Sequence, residues 1–212
     1  MPTRRDLIIL FTRSPEPGRC KTRLIPALGA DGAATLHKWM TEQVLTAIQA
    51  LTSGQGPGVE ICFDGGNEQQ MQDWLGQELK YRLQAAGDIG QRMAQALCPR
   101  LRDAKRVLLL GSDCPQITPA ILREALSGLN RHDLVLGPAH DGGYYLIGAT
   151  NHLPGNICAE LFSDIHWGSA TVFDETISRL RHLQLTYHSL PKLHDIDHAD
   201  DLKHLDYRPD PR

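Results

Sequence analysis

No stretch of this sequence approaches the ~20 consecutive apolar residues of a membrane-spanning helix. The run Leu7 to Phe11 follows two arginines, but it is too short for a signal-peptide core, and no small-residue cleavage site comes after it. Neither sign of charge dominates: 22 Lys and Arg stand against 25 Asp and Glu, a net charge of −3. That balance argues against a nucleic-acid polymer as partner, and with no long apolar stretch no membrane partner is expected. No Cys-x-x-Cys pair occurs. The five cysteines (Cys20, Cys62, Cys98, Cys114 and Cys158) are scattered and odd in number. They read as reduced cytosolic thiols, neither a disulfide frame nor a zinc site, and point to a cytoplasmic protein. No long linker interrupts the chain either. Its Gly/Pro-rich breaks are short, Ser53 to Gly58 being one of them, so its 212 residues are expected to form one domain over 1–212. Apolar residues make up 41% of it, enough for a sizeable core.

What is present is a series of short apolar runs, each followed by charge or glycine. Val107 to Leu110 suits a strand buried on both faces of a parallel sheet. It stops at Gly111, and Asp113 follows at once. Thr118 and Pro119 then suit the cap and first turn of a helix. Asp113 is thereby predicted in a loop at the carboxyl end of a central strand, the edge where open α/β sheets place ligands. Closing a turn is the plainer role for it.

Leu7 to Phe11 reads as the first strand. The loop after it carries Arg13, Arg19, Lys21 and Arg23, stiffened by Pro15 and Pro17 and able to bend at Gly18. Such a loop can gather phosphate oxygens, or it can be a solvated basic segment. It is not a Walker P-loop, because Cys20 stands where Gly must precede the lysine.

Further along, Asp31 to Leu51 is predicted helical from apolar residues at helical spacing, Val59 to Phe63 a strand, Glu68 to Leu75 a helix, and Lys80 to Leu83 a short strand. Gly87-Asp88-Ile89-Gly90 precedes a helix. Asp88 is a ligand-facing carboxylate there or simply the helix cap. A strand over Asp133 to Gly137 leads into Ala139-His140-Asp141-Gly142-Gly143-Tyr144, where Tyr144 to Ile147 resumes a strand. The two glycines beside Asp141 imply close backbone approach, or a hairpin turn. Asn151 to Gly168 is expected to be irregular. Ser169 opens a helix to about His182, and Leu185 to Leu190 is the last strand. Asp197 is predicted to cap a short helix through Leu205. His194, His198 and His204 match no standard zinc spacing.

Strand and helix thus alternate, with charged residues in the loops after strands, which is a doubly wound α/β layout. A basic loop after the first strand, an Asp after a middle strand and an Asp near the end fit a nucleoside diphosphate bound through Mg²⁺ or Mn²⁺.

Five segments together carry a resemblance to a known family. They are Arg13-Ser14-Pro15 with Gly18 and Lys21-Thr22-Arg23-Leu24; Gly87 to Met93; Gly111-Ser112-Asp113-Cys114-Pro115; Asp141 to Gly148; and Asp195-Ile196-Asp197 with Asp201-Leu202. Over almost its whole length the chain resembles the GT-A, nucleotide-diphospho-sugar transferase superfamily. Within it, the chain is similar to a bacterial group of small glycosyltransferase-like proteins labelled for arsenosugar biosynthesis. It is also similar to nucleotidyltransferases that make molybdenum-cofactor dinucleotides or guanylylate phospholactate.

The resemblance implies a Rossmann-like, mixed but mainly parallel sheet with helices on both faces. It implies a metal-dependent glycosyltransferase acting on a nucleotide sugar and a small-molecule acceptor, with a homodimer as the candidate assembly. Asp113 and Asp197 would hold Mg²⁺ or Mn²⁺. Arg13, Gly18, Lys21, Arg23 and Asp88 would bind the nucleotide and its phosphates. Gly142 and Gly143 would meet the substrate, and Asp141 would be the general base. Two departures stand. The usual Asp-x-Asp is Gly111-x-Asp113 here, which is why Asp197 is needed as second ligand. The first loop lacks the Gly-x-Gly-x-Arg form of the nucleotidyltransferases. Nucleotidyl transfer and a non-catalytic nucleotide-binding module remain the alternatives.

Overall fold

The computed structural model describes residues 4–52, 56–205 and 207. Ser53 to Gln55 of the expected link lie outside them. The strands are β1 (Leu7–Arg13), β2 (Gly58–Asp64), β3 (Lys80–Leu83), β4 (Arg106–Gly111), β5 (Leu134–Pro138), β6 (Tyr144–Thr150) and β7 (Tyr187–Ser189). The helices are α1 (Ile25–Gln49), α2 (Glu68–Leu75), α3 (Ile89–Leu97), α4 (Pro119–Gly128), α5 (Gly155–Glu160) and α6 (Val172–His182). One sheet holds all seven strands in the order β3-β2-β1-β4-β6-β5-β7. Only β6 runs antiparallel to its neighbours.

The continuous apolar runs have a direct cause. Side chains alternate across a strand, and both faces of this sheet are covered. Ile8, Leu10, Leu108 and Leu110 pack under α1 and α4 on one face. Ile9, Phe11, Val107 and Leu109 pack against α3, α5 and α6 on the other. The chain leaves β1 towards β2 on one side and reaches β4 on the other. The carboxyl ends of β1 and β4 therefore flank the crevice where the strand order reverses.

Several expectations are corrected. The helix expected from Asp31 begins at Ile25, and Gly29, at φ 72°, breaks it just ahead of that point. The segment Asn151 to Gly168 contains α5. The last strand is shorter than Leu185 to Leu190. Asp197 does not cap the terminal 3₁₀ helix (Ala199–His204). His198 holds that position, and the Asp201 carboxylate accepts the backbone N–H of both Asp197 and His198.

The cysteines are also corrected. Cys98 and Cys158 form a disulfide, while Cys20, Cys62 and Cys114 are free and buried. The two partners are 60 residues apart and meet only because α5 packs on the 3₁₀ turn Cys98–Arg102, so no local spacing announces the pair. Among the described residues, no helix is long and apolar enough to cross a membrane.

A buried carboxylate tests the packing at the β3 side. Glu60 on β2 is 7% exposed and takes its main hydrogen bonds from Arg100, with Arg82 at 3.3 Å. Arg100→Met should cost about 3 kcal/mol in urea unfolding, because it leaves a buried charge short of its partner. The double change with Glu60→Leu should recover most of that loss. If Arg100→Met unfolds at the wild-type urea midpoint, the pair has no structural importance.

Candidate active site

Three segments converge above the carboxyl ends of β1 and β4. The first is the loop after β1. Its Gly18 lies at φ 78°, and Lys21 itself adopts left-handed backbone, φ 46° and ψ 44°. A lysine in that region is uncommon and costs conformational energy, which elsewhere marks functional positions. The second is the loop after β4, from Gly111 to Pro115. The third is the tail Asp195-Ile196-Asp197. Ile196 is fully buried among Leu24, Leu36 and Met40 on the outer side of α1. Its backbone N–H donates to the Asp113 carbonyl at 3.0 Å, and its carbonyl accepts from the Lys21 ammonium at 2.6 Å. With Ile196 anchored inward, its neighbours Asp195 and Asp197 both line the crevice.

Lys21 is the centre of this arrangement. Its side chain is only 5% exposed, and its ammonium lies 2.9 Å from Asp113 Oδ1 and 3.6 Å from Asp197 Oδ1. Burial works against the ammonium charge, but Asp113, with smaller help from Asp197 and Asp195, outweighs it, and the lysine pKa is raised. Burial likewise opposes ionisation of Asp113, yet Lys21 holds its carboxyl below the usual range. Arg23 makes a close ion pair with the other oxygen of Asp197. Arg13 does the same with Asp64 at the end of β2, which also takes Arg92 at 3.3 Å. The hydrogen bond from Arg13, against the opposing effect of burial, keeps the Asp64 carboxyl below its ordinary value. Buried His37 of α1 places Nε2 3.0 Å from the Arg13 carbonyl and so ties the end of β1 to the helix. Burial lowers its pKa and so disfavours the charged ring.

Two cavities meet at these residues. The smaller, about 360 Å³, is lined by Arg13, Lys21, His37, Asp64, Gln84 and Arg92. The larger, about 590 Å³, is lined by Asp141, Gly143, Trp167, Ser169 and Asp195. Asp113, Asp197, Tyr144 and Tyr145 border both. Asp141 is exposed in the turn between β5 and β6, where its Oδ1 accepts the Gly143 N–H at 2.8 Å. Burial and then the charge of Asp141 push the Asp195 carboxyl up. Trp167 stands over the first turn of α3 because Gly90 leaves room. A Cβ there would come within 2.2 Å of the indole Nε1.

The structure thus brings Arg13, Lys21, Arg23, Asp113, Asp141, Gly143 and Asp197 to one cleft. It places three others elsewhere. The Asp88 carboxylate accepts the Gln91 N–H at 2.8 Å and caps α3, so it serves the helix and lines neither cavity. Gly18 bends the basic loop outside both cavities. Gly142 (φ 92°) faces protein: an added Cβ would lie 2.0 Å from the Ala170 carbonyl oxygen. Asp64, Arg92, Asp195 and Trp167 line the cleft without having been given a site role from sequence. Asp64 and Asp195 carried a signal, a carboxylate at a strand end and the Asp-Ile-Asp alternation. His140, His194 and His204 form a column of stacked rings, with centroids 3.8 and 3.7 Å apart. Among the described residues, no three His, Cys, Asp or Glu side chains form a metal-binding group.

A family model described as "Uncharacterized protein conserved in bacteria (DUF2064)" matches residues 46–169, more than half of the chain. The chain belongs to this family. No curated protein matches the DUF2064 chain in sequence. Among solved structures, a protein of Desulfovibrio desulfuricans G20, provisionally named a nucleotide-diphospho-sugar transferase, is 34% identical. It superposes with a TM-score of 0.86, covering 93% of this chain and 84% of its own.

Two more distant structures share the fold. A nucleotidyl transferase of Methanothermobacter thermautotroptrophicus has 13% identity and a TM-score of 0.62, covering 94% and 95% of the two chains. Glucosyl-3-phosphoglycerate synthase of Mycobacterium tuberculosis, solved with Mn²⁺, UDP and glucosyl-3-phosphoglycerate, has 12% identity and a TM-score of 0.56, covering 97% of this chain and 73% of its own. The DUF2064 protein therefore has the GT-A-like fold expected from its sequence, common to nucleotide-diphospho-sugar transferases and related nucleotidyltransferases.

Proposed function

We propose that this protein is a metal-dependent glycosyltransferase that takes a nucleotide sugar as donor. The observation that carries the reading is the meeting of two cavities at Asp113 and Asp197. The smaller has three cationic side chains balanced by three carboxylates, two of them the proposed metal ligands, and with a divalent ion would suit an anionic nucleotide. The larger has Asp141 and aromatic walls and suits the sugar and acceptor. The bond to be broken then lies where the cavities join.

The donor set fits a hard divalent cation. Asp113 and Asp197 reach the same point, since one ammonium contacts both, and both offer oxygen. Mg²⁺ and Mn²⁺ commonly take one or two carboxylates, with substrate phosphates and water completing the shell. The manganese in glucosyl-3-phosphoglycerate synthase supports this choice. When bound, the ion would neutralise charge on the diphosphate leaving group. Lys21, Arg23 and Arg13 would hold phosphate oxygens. In the transfer, the acceptor hydroxyl oxygen bonds to the anomeric carbon of the sugar. The bond from that carbon to the diphosphate oxygen breaks, and its electron pair leaves with the nucleoside diphosphate. Asp141 accepts the hydroxyl proton.

Nucleotidyl transfer is the second reading, favoured by the pairing of Asp113 with a distant Asp197 in place of Asp-x-Asp. A thermal-shift screen of nucleoside di- and triphosphates and nucleotide sugars, with and without Mn²⁺, tests the donor class. A ligand at a hundredfold excess over its dissociation constant should add about 2.7 kcal/mol of stability. Stabilisation by nucleotide sugars only when Mn²⁺ is present supports the proposal. Stabilisation by triphosphates alone, with pyrophosphate released, favours the second reading, and binding without turnover of any donor leaves a non-catalytic module.

The basic side chains give a sharper test. Lys21→Ala and Arg23→Ala should each weaken a nucleoside diphosphate by about 1.5–3 kcal/mol and the bare nucleoside hardly at all. Isothermal titration showing equal loss for both ligands would mean that these residues act through the fold.

A further inference from the structure

We infer that the larger cavity selects an acceptor bearing an ammonium group near its reacting hydroxyl, and rejects acceptors bearing phosphate or carboxylate. This rests on the glycosyltransferase reading and names its acceptor class.

The two cavities differ in their balance of charge: the smaller is balanced and the larger is net acidic. In the smaller, Arg13, Lys21 and Arg92 stand against Asp64, Asp113 and Asp197, each cation in contact with a carboxylate. In the larger, Asp141 and Asp195 line the wall, and neither is in an ion pair among the described residues. The cations that reach this wall are committed elsewhere. Arg23 is held on Asp197, and His198 also faces Asp197, at 4.0 Å. A phosphate or carboxylate brought beside Asp141 and Asp195 would meet two like charges, Arg23 being held on Asp197, which borders both cavities. An ammonium would meet two carboxylates that have no ion-pair partner among the described residues.

The rest of the wall suits the same chemistry. Tyr144, Tyr145 and Trp167 line it, and aromatic faces attract cations. Gly143, Gly168 and Ala170 leave space for a compact ring. The two carboxylates divide the work. Asp141 receives the hydroxyl proton in the proposed transfer, and Asp195, beside the metal-side residue Asp197, anchors the ammonium.

The test is equilibrium titration of the full chain, without nucleotide, using two matched sets of probes. One set is glucosamine, glucose and glucose 6-phosphate; the other is ethanolamine, ethylene glycol and glycolate. In each set the amine should bind most tightly, about tenfold over the neutral compound, and the anion least. Asp195→Asn should reduce the amine to the level of the neutral compound. Circular dichroism confirms that the variant is folded, and Asp195→Glu should restore the preference in part. An anion that binds as well as the amine, absence of binding by both amines, or an amine preference that survives Asp195→Asn overturns the inference. Failure of the donor reading would show separately, as absence of nucleotide binding in the smaller cavity.

Discussion

Asp113→Ala and Asp197→Ala should each abolish Mn²⁺-dependent binding of a nucleoside diphosphate while the protein stays folded. The two carboxylates come from loops 84 residues apart in sequence and reach one ammonium, at 2.9 and 3.6 Å. A divalent ion at that point needs both, because no third protein carboxylate, histidine or cysteine completes a cluster among the described residues. Losing either would leave one protein ligand, too few to hold Mn²⁺ against water and to bridge it to phosphate.

Stability must be followed in the same experiment. Lys21 is almost entirely buried but Asp113 is half-exposed, so the cost falls below the ~3–5 kcal/mol of breaking a fully buried pair. The remaining contacts of Lys21 with Asp197 and the Ile196 carbonyl soften that cost in Asp113→Ala. Asp113→Asn keeps the shape and a hydrogen-bond acceptor but loses the charge. It should lose metal-dependent binding with less loss of stability. Isothermal titration with unchanged affinity and unchanged Mn²⁺ dependence in both Ala variants would remove these residues from the proposed metal site.

Asp141→Asn should retain nucleotide and metal but lose about 10²–10⁴-fold in turnover at saturating donor. The turn does not depend on the carboxylate charge. Asp141 contributes one acceptor oxygen to the Gly143 N–H, and an Asn side-chain oxygen can make the same bond. What Asn cannot do is take a proton at neutral pH. A structural role would therefore leave the rate nearly intact, whereas a role as base would not. The rate is to be read as transfer to an acceptor and as donor hydrolysis. A variant within about twofold of wild type, well short of the general-base range, would take Asp141 out of the chemistry.

The sheet was legible in the sequence because strands covered on both faces are written as unbroken apolar runs. Val107 to Leu110 and Leu7 to Phe11 stand where that rule puts them, as β4 and β1. The strand-end loops were legible for the same reason: charge or glycine follows each run. What was not legible depended on contacts between distant segments. The Cys98–Cys158 bridge exists because α5 packs on the turn after α3. The position of Trp167 depends on Gly90, which reads alone as one more small residue near a helix start. Asp88 shows a different limit. A carboxylate before a helix caps it or faces a ligand with the same local sequence, and here Gln91 completes a capping box. Lys21 shows the converse. Its place among basic neighbours says nothing of the burial of its side chain between two carboxylates, one of them brought there by the tail packing on α1.

The most direct measurement is phosphorus NMR of the products formed with Mn²⁺ from a panel of nucleotide sugars and nucleoside triphosphates, each offered with an amine-bearing hydroxyl acceptor. The account predicts that a nucleotide sugar gives nucleoside diphosphate, that no triphosphate gives pyrophosphate, and that the signal disappears with chelator and in Asp113→Ala. Pyrophosphate formed from a nucleoside triphosphate, with the nucleotide sugars left intact, would contradict it.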